Sequence, residues 1–136
     1  MPNLPKPVVI AAGVLLAVVL NLLVYAGGRA AGGTFRITTA GVPSEVDALT
    51  VAGFSAVPLL IGLTAVALLS RFGDWVIRSA LVTGPALALG TILLMTVPAG
   101  FDAVSAAALA LCHVVLAPIT VVAVLALRPR PALVPA

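Results

Sequence analysis

His113, Asn21 and the four carboxylates are the side chains of this sequence best placed to do chemistry, and their spacing decides which chemistry is open to them. His113 is the sole histidine and stands next to the sole cysteine, Cys112, inside a long apolar run. A neutral imidazole there could bond a neighbouring helix, line an internal cavity, relay a proton, or ligate a metal or haem. A structural zinc site needs three or four ligands, and adjacent helical residues point about 100° apart, so Cys112 and His113 do not chelate one ion together. An interhelical hydrogen bond is therefore the favoured reading and cavity lining the second; no metal and no cofactor is expected. Asn21 lies in another apolar run, where its amide can donate and accept across a helix pair, a contact worth ~0.6 kcal/mol on average in membranes. Helix glue is favoured over ligand contact. His113 and Asn21 together form the candidate intramembrane polar site.

The carboxylates all fall where an apolar run begins. Glu45 and Asp47 follow Pro43-Ser44, and Ser44-x-x-Asp47 resembles a capping box. Asp74 precedes the third run, and Asp102 precedes the fourth with Ser105 three residues on. The first amides of a helix lack partners and its N-terminus carries partial positive charge, so Ser44, Asp47, Asp74 and Asp102 are expected as helix caps. Asp74 and Arg78 are four apart and could pair. This assignment leaves no ionised group within the apolar runs. Proton- or cation-coupled transport usually needs one there, and the first run lacks the embedded glutamate on which small multidrug transporters depend. A single cysteine cannot supply the Cys-x-x-Cys of a thiol oxidoreductase, and no acid lies near His113 to build a Ser-His-Asp arrangement. Catalysis is not expected.

Four apolar runs carry these residues, at Pro7–Ala26, Ala48–Ser70, Trp75–Val97 and Ala103–Leu127. A hydrocarbon core about 30 Å thick needs about 20 helical residues, so each run suits one crossing. With 62% hydrophobic and only 8% charged residues, a soluble domain of 136 residues is excluded. The expected fold is all-α: an antiparallel bundle of four transmembrane helices, a single membrane domain over 1–136. The helices should span about 7–26, 44–70, 75–97 and 102–127, with an outer loop at about 27–43 and a disordered tail at about 129–136. Lys6 and the small residues after the first run mimic a signal peptide, but the apolar stretch is too long for an h-region of about 7–15 residues, so a retained span is expected. The lone Cys112 can form no internal disulfide.

Basic residues orient the spans. With the N-terminus in the cytoplasm, Lys6, Arg71, Arg78, Arg128 and Arg130 lie inside and only Arg29 and Arg36 outside, which follows the positive-inside bias. Both termini are therefore expected to be cytoplasmic, in a bacterial inner membrane. The net charge of +3 is spread singly over helix ends, so the partner it implies is the lipid bilayer and not nucleic acid. Short connections at Arg71–Asp74 and Pro98–Asp102 should make helices two, three and four antiparallel neighbours. Weak alternation over Thr34–Thr38 suggests an extended segment, to which little weight attaches because a lone strand leaves its edge unpaired. Pro58, Pro85 and Pro118 sit inside three successive runs, where each frees a carbonyl and can kink its helix, opening room around His113. Ala86-x-x-x-Gly90 and Ala106-x-x-x-Ala110 permit close helix approach.

The asparagine segment Asn21-Leu22-Leu23-Val24, the arginine closing Leu68-Leu69-Ser70-Arg71, and His113-Val114-Val115 followed by a proline and a terminal arginine resemble an uncharacterised family of small four-helix integral membrane proteins, best known from actinobacteria. The resemblance covers essentially the whole chain and implies the four-span plan; it supplies no activity and no substrate. The expected function is an accessory or scaffold subunit that packs through its helix faces, in a homo-oligomer or a larger membrane complex. The alternative is a small-molecule binding or transport protein with an intramembrane pocket around His113.

Overall fold

A computed structural model describes residues 4–39 and 41–128; the tail expected at 129–136 lies outside them, as does Arg130. The elements run α1 (Lys6–Ala30), β1 (Arg36–Thr39), β2 (Val42–Glu45), α2 (Ala48–Leu69), a 3-10 turn (Ser70–Phe72), α3 (Asp74–Thr91), a π-helical turn (Ile92–Thr96) and α4 (Ala103–Ala126). Four helices are long and apolar enough to cross a membrane.

Small residues decide which helices meet. Lys6 Nζ donates to the carbonyl of Ala67 at 3.0 Å and to Ser70 Oγ at 3.1 Å. Further along α1, Gly13 faces Leu63, and Asn21 bonds Ser55. These contacts advance along α1 while retreating along α2, so the two helices are antiparallel. Gly13 against Ala123 and Gly28 against Ala108 set the same relation between α1 and α4. On α3, Gly84 rests against Thr120 of α4. Without side chains at these glycines, backbones approach closely and dispersion contacts multiply, which is what holds helices together where lipid is as apolar as the helix faces.

The spatial order is thus α3–α4–α1–α2. A tight turn joins α2 to α3, yet the two helices touch little beyond it. This corrects the expectation that helices two and three are neighbours: α2 is drawn onto α1 and α3 onto α4, and a cleft remains between them. At the Lys6 end, Leu63, Ile77, Val124 and Leu127 form a closed core. Only Val76 and Ile77 of α3 are buried.

The opposite end is closed by a structure unforeseen in the sequence. Residues 36–39 do not lie as a lone extended segment; they pair antiparallel with Val42–Glu45, in the register Arg36↔Glu45 and Ile37↔Ser44. Ser44 therefore belongs to a strand and caps nothing, and α2 starts at Ala48 instead of 44. Pro43 is accommodated because a two-stranded ribbon is all edge. Asp47 is the N-cap of α2, accepting from the Thr50 amide at 2.7 Å and the Thr50 hydroxyl at 2.6 Å. Glu45 instead joins Arg29 at 2.9 Å and Arg36 at 3.2 Å. Those are the ion pairs among the described residues, so Asp74 and Arg78 do not pair; Asp74 is the first residue of α3 behind Gly73 and makes no side-chain cap bond.

Phe35 locks this end. Its ring is fully buried, its centroid 4.6 Å from that of Tyr25 with the two rings tilted at 57°, and its backbone takes φ 56°, a region costly for a residue with a β-carbon. Its amide donates to Ser105 Oγ at 2.8 Å, and that hydroxyl donates to Asp102 Oδ2 at 2.6 Å. Asp102 also caps α4 through the Ser105 amide and receives the Thr34 amide and hydroxyl. The Ser105 hydroxyl, followed by these other donors, holds the Asp102 carboxyl well below the usual carboxylate range. The Thr50 hydroxyl lowers Asp47 in the same way. Only glycine fits at position 28, because a Cβ there would stand 2.8 Å from both Ala108 Cβ and Phe35 Cζ.

Candidate functional site

The cleft left by the divergence of α2 and α3 widens into two adjoining cavities. One, of about 260 Å³, lies beneath the hairpin, between α1, α2, the π-helical turn and α4. The other, of about 480 Å³, continues toward the Lys6 end between α2, α3 and α4. Phe54, Ser55, Met95, His113 and Leu116 wall both, so the two spaces meet at the histidine. Met95 and Thr96 come from the π-helical turn, whose wider backbone bond runs from the Val97 amide to the Ile92 carbonyl at 2.9 Å. Such turns commonly mark functional positions. Of the three prolines inside helices, Pro58 alone lines the cleft; it removes the amide that would have bonded the carbonyl of Phe54, another wall residue.

Both residues of the expected polar site line the smaller cavity. The structure brings Asn21 and His113 to one space from α1 and α4, although they are far apart in sequence. The sequence did not point to Ser55 as the third polar member. No local pattern marks a serine that receives an amide from another helix.

Asn21 is 1% exposed, and its Nδ2 donates to Ser55 Oγ at 2.8 Å. Ser55 has one hydroxyl proton, committed to the carbonyl of Val51 at 2.7 Å. It can therefore only accept from Asn21, which fixes the amide's orientation and leaves Oδ1 buried without a partner. An unsatisfied buried carbonyl costs about 1–3 kcal/mol, and native interiors rarely tolerate one without a reason. The Cys112 thiol points at the main chain of the same residue, 3.7 Å from the Asn21 carbonyl.

His113 differs from expectation in its partner. Its Nδ1 bonds the carbonyl of Leu109 at 2.8 Å, four residues back on its own helix, and not a group on a neighbouring helix. A carbonyl only accepts, so Nδ1 carries the proton of the neutral ring and Nε2 is left as a bare acceptor. Nε2 has no protein partner among the described residues. The ring is half-buried, at the junction of the two cavities. No group of three histidine, cysteine or carboxylate side chains that could hold a metal exists among the described residues.

The cleft is therefore a mostly apolar space in which Asn21 Oδ1 and His113 Nε2 are unpaired acceptors, and no charged side chain is among its lining residues. It can hold and orient a molecule, but it contains no activated nucleophile or acid–base pair. No curated protein and no solved structure matches the chain. A family model does match, over residues 4–130, and the chain belongs to that family of unknown function (DUF6069).

Proposed function

We propose that this chain is a multi-pass membrane protein that takes up a lipid-soluble small molecule in the cleft between α2 and α3. The observation that carries the reading is that Asn21, whose Oδ1 is buried and unpartnered, is among the residues lining an apolar cavity of about 260 Å³. Sites for small molecules are concave, mostly apolar and furnished with a few fixed polar groups, often between helices. Because α2 and α3 diverge, a ligand can arrive sideways from the lipid without crossing the hairpin.

The membrane is the bacterial inner membrane in this reading, and the abundance of alanine, valine and proline agrees with a high-GC actinobacterial source. Lys6, Arg71, Arg78 and Arg128 face the cytoplasm with both termini, and Arg29 and Arg36 face outward, as the positive-inside bias requires.

A second reading, an accessory or scaffold subunit in a homo-oligomer or larger complex, draws support from α3. That helix buries only Val76 and Ile77, and leaves Val82 and Leu87 exposed, as are Leu93 and Leu94 in the π-helical turn that follows it. Native mass spectrometry of the protein released from lipid nanodiscs separates the two. Small-molecule uptake predicts a monomer carrying a discrete adduct of small mass. A bare multimer, or a stoichiometric protein partner without such an adduct, favours the scaffold instead.

A further inference from the structure

We propose that the smaller cavity selects molecules bearing a hydroxyl or N–H donor on an apolar body, which it recognises through two acceptors, Asn21 Oδ1 and His113 Nε2. The inference rests on the cleft being a small-molecule site and adds the chemistry of its occupant.

Three donors beside the cavity are already committed. Asn21 Nδ2 donates to Ser55, Ser55 to the Val51 carbonyl, and the Nδ1–H of His113 to the Leu109 carbonyl. Two acceptors of these same side chains stay unpaired among the described residues: Oδ1 of an amide that is 1% exposed, and the second nitrogen of the imidazole. An unpaired acceptor in apolar surroundings discriminates by penalty. A ligand with a donor removes the cost of the orphaned carbonyl, whereas an ether or ketone of the same shape adds a second acceptor facing the first. Nothing in the site supplies a charge to offset a cation or an anion, so an ionised head group is disfavoured.

The size of the space limits the body. An apolar cavity of about 150 Å³ is enough to hold benzene, so about 260 Å³ has room for two fused rings or a short branched chain. Phe54, Met95 and Leu116 offer the aromatic and thioether surfaces such a body packs against. A longer tail can pass His113 into the larger cavity, because the two spaces share that wall.

The test uses the full chain in nanodiscs and three probes with one ring system: 1-naphthol, 1-methoxynaphthalene and naphthalene. Binding is read as saturable displacement above the bilayer partitioning of each probe. We expect 1-naphthol to bind at least tenfold more tightly than its methyl ether, equivalent to about 1.4 kcal/mol. In Asn21→Leu the preference should shrink to within about twofold, and His113→Phe should reduce it partway. Equal binding of 1-naphthol and 1-methoxynaphthalene to the unaltered protein overturns the donor rule while leaving the cleft as a small-molecule site. A preference that survives unchanged in both variants assigns recognition elsewhere and overturns it too. Absence of saturable binding by all three probes sinks the small-molecule reading itself. The comparison on the unaltered protein decides the matter even if a variant fails to fold.

Discussion

Two neighbouring regions of the α1–α4 seam are built on opposite plans. At the hairpin end, Phe35 is fully enclosed, its amide, the Ser105 hydroxyl and Asp102 form an unbroken chain of donors and acceptors, and Gly28 leaves no room for a methyl group. A few residues away along α1, Asn21 keeps a buried carbonyl unpaired and lines a cavity. The first region satisfies every polar group and carries a strained backbone to do so. The second spends no effort on closure. The contrast teaches that the open cleft is not a symptom of loose folding, because the same helices pack to full density where packing is required. The corner packs α4 closely onto α1, and the cavity opens beyond it, where α2 and α3 part.

The largest predicted effect lies in the corner. Phe35→Ala should cost about 3–5 kcal/mol in reversible unfolding in detergent, the range for deleting a buried aromatic ring. The same change at Phe54, which is 65% exposed, should move stability by no more than about 0.5 kcal/mol while weakening ligand uptake. Similar losses at both positions would erase the comparison.

Glycine substitutions sharpen it. Gly28→Ala should destabilise by about 1–3 kcal/mol, because the added methyl overpacks a contact already at its limit. Gly62→Ala, on the cleft-lining side of α2 with nothing within 4 Å of the new methyl, should stabilise the helix by about 0.5–1 kcal/mol. Asn21→Leu comes next. It forfeits one interhelical bond worth ~0.6 kcal/mol but removes an unsatisfied carbonyl, so stability should change by less than about 1 kcal/mol in either direction. Ligand selectivity should be lost all the same, and a large stability loss would show that the amide is structural.

The smallest effect is local and depends on pH. Asp102 has its folded pKa lowered below the ordinary 3.8, so its stabilising contribution is complete above that value and fades as pH falls below it. The protection of the Thr34 and Phe35 amides against exchange, relative to their intrinsic rates at each pH, should therefore fall on acidification below about pH 4, and Asp102→Asn should remove that loss. Unchanged protection across that range would exclude Asp102 as the keystone of the corner.

Much of the architecture is legible in the residues. Run length and hydropathy mark the four helices because a span leaves an apolar segment long enough to count, and Asp102 with Ser105 marks the start of α4 because a cap has a fixed spacing. Ser44 misleads, since its capping-box spacing to Asp47 also fits a strand residue, and only the pairing of Val42–Glu45 with Arg36–Thr39 distinguishes them. The short Ser70–Gly73 link implies adjacency of α2 and α3, yet a link constrains only the ends it joins. Their divergence comes from the small residues that pull each toward a different partner. At the site, Asn21 and His113 stand out as polar residues in apolar runs, but what satisfies them does not. The partner of His113 is a main-chain carbonyl, to which sequence is blind, and the orphan on Asn21 depends on where one proton of Ser55 goes.

Photolabelling tests the central claim most directly. An apolar aryl diazirine partitioned into nanodiscs should label Phe54, Met95 and Leu116 at saturable levels, and excess 1-naphthol should suppress that labelling while leaving the exposed Val82, Leu93 and Leu94 unaffected. Labelling that spreads evenly over Val82, Leu93 and Leu94, with no competition at the cleft, would contradict a ligand-binding cavity between α2 and α3.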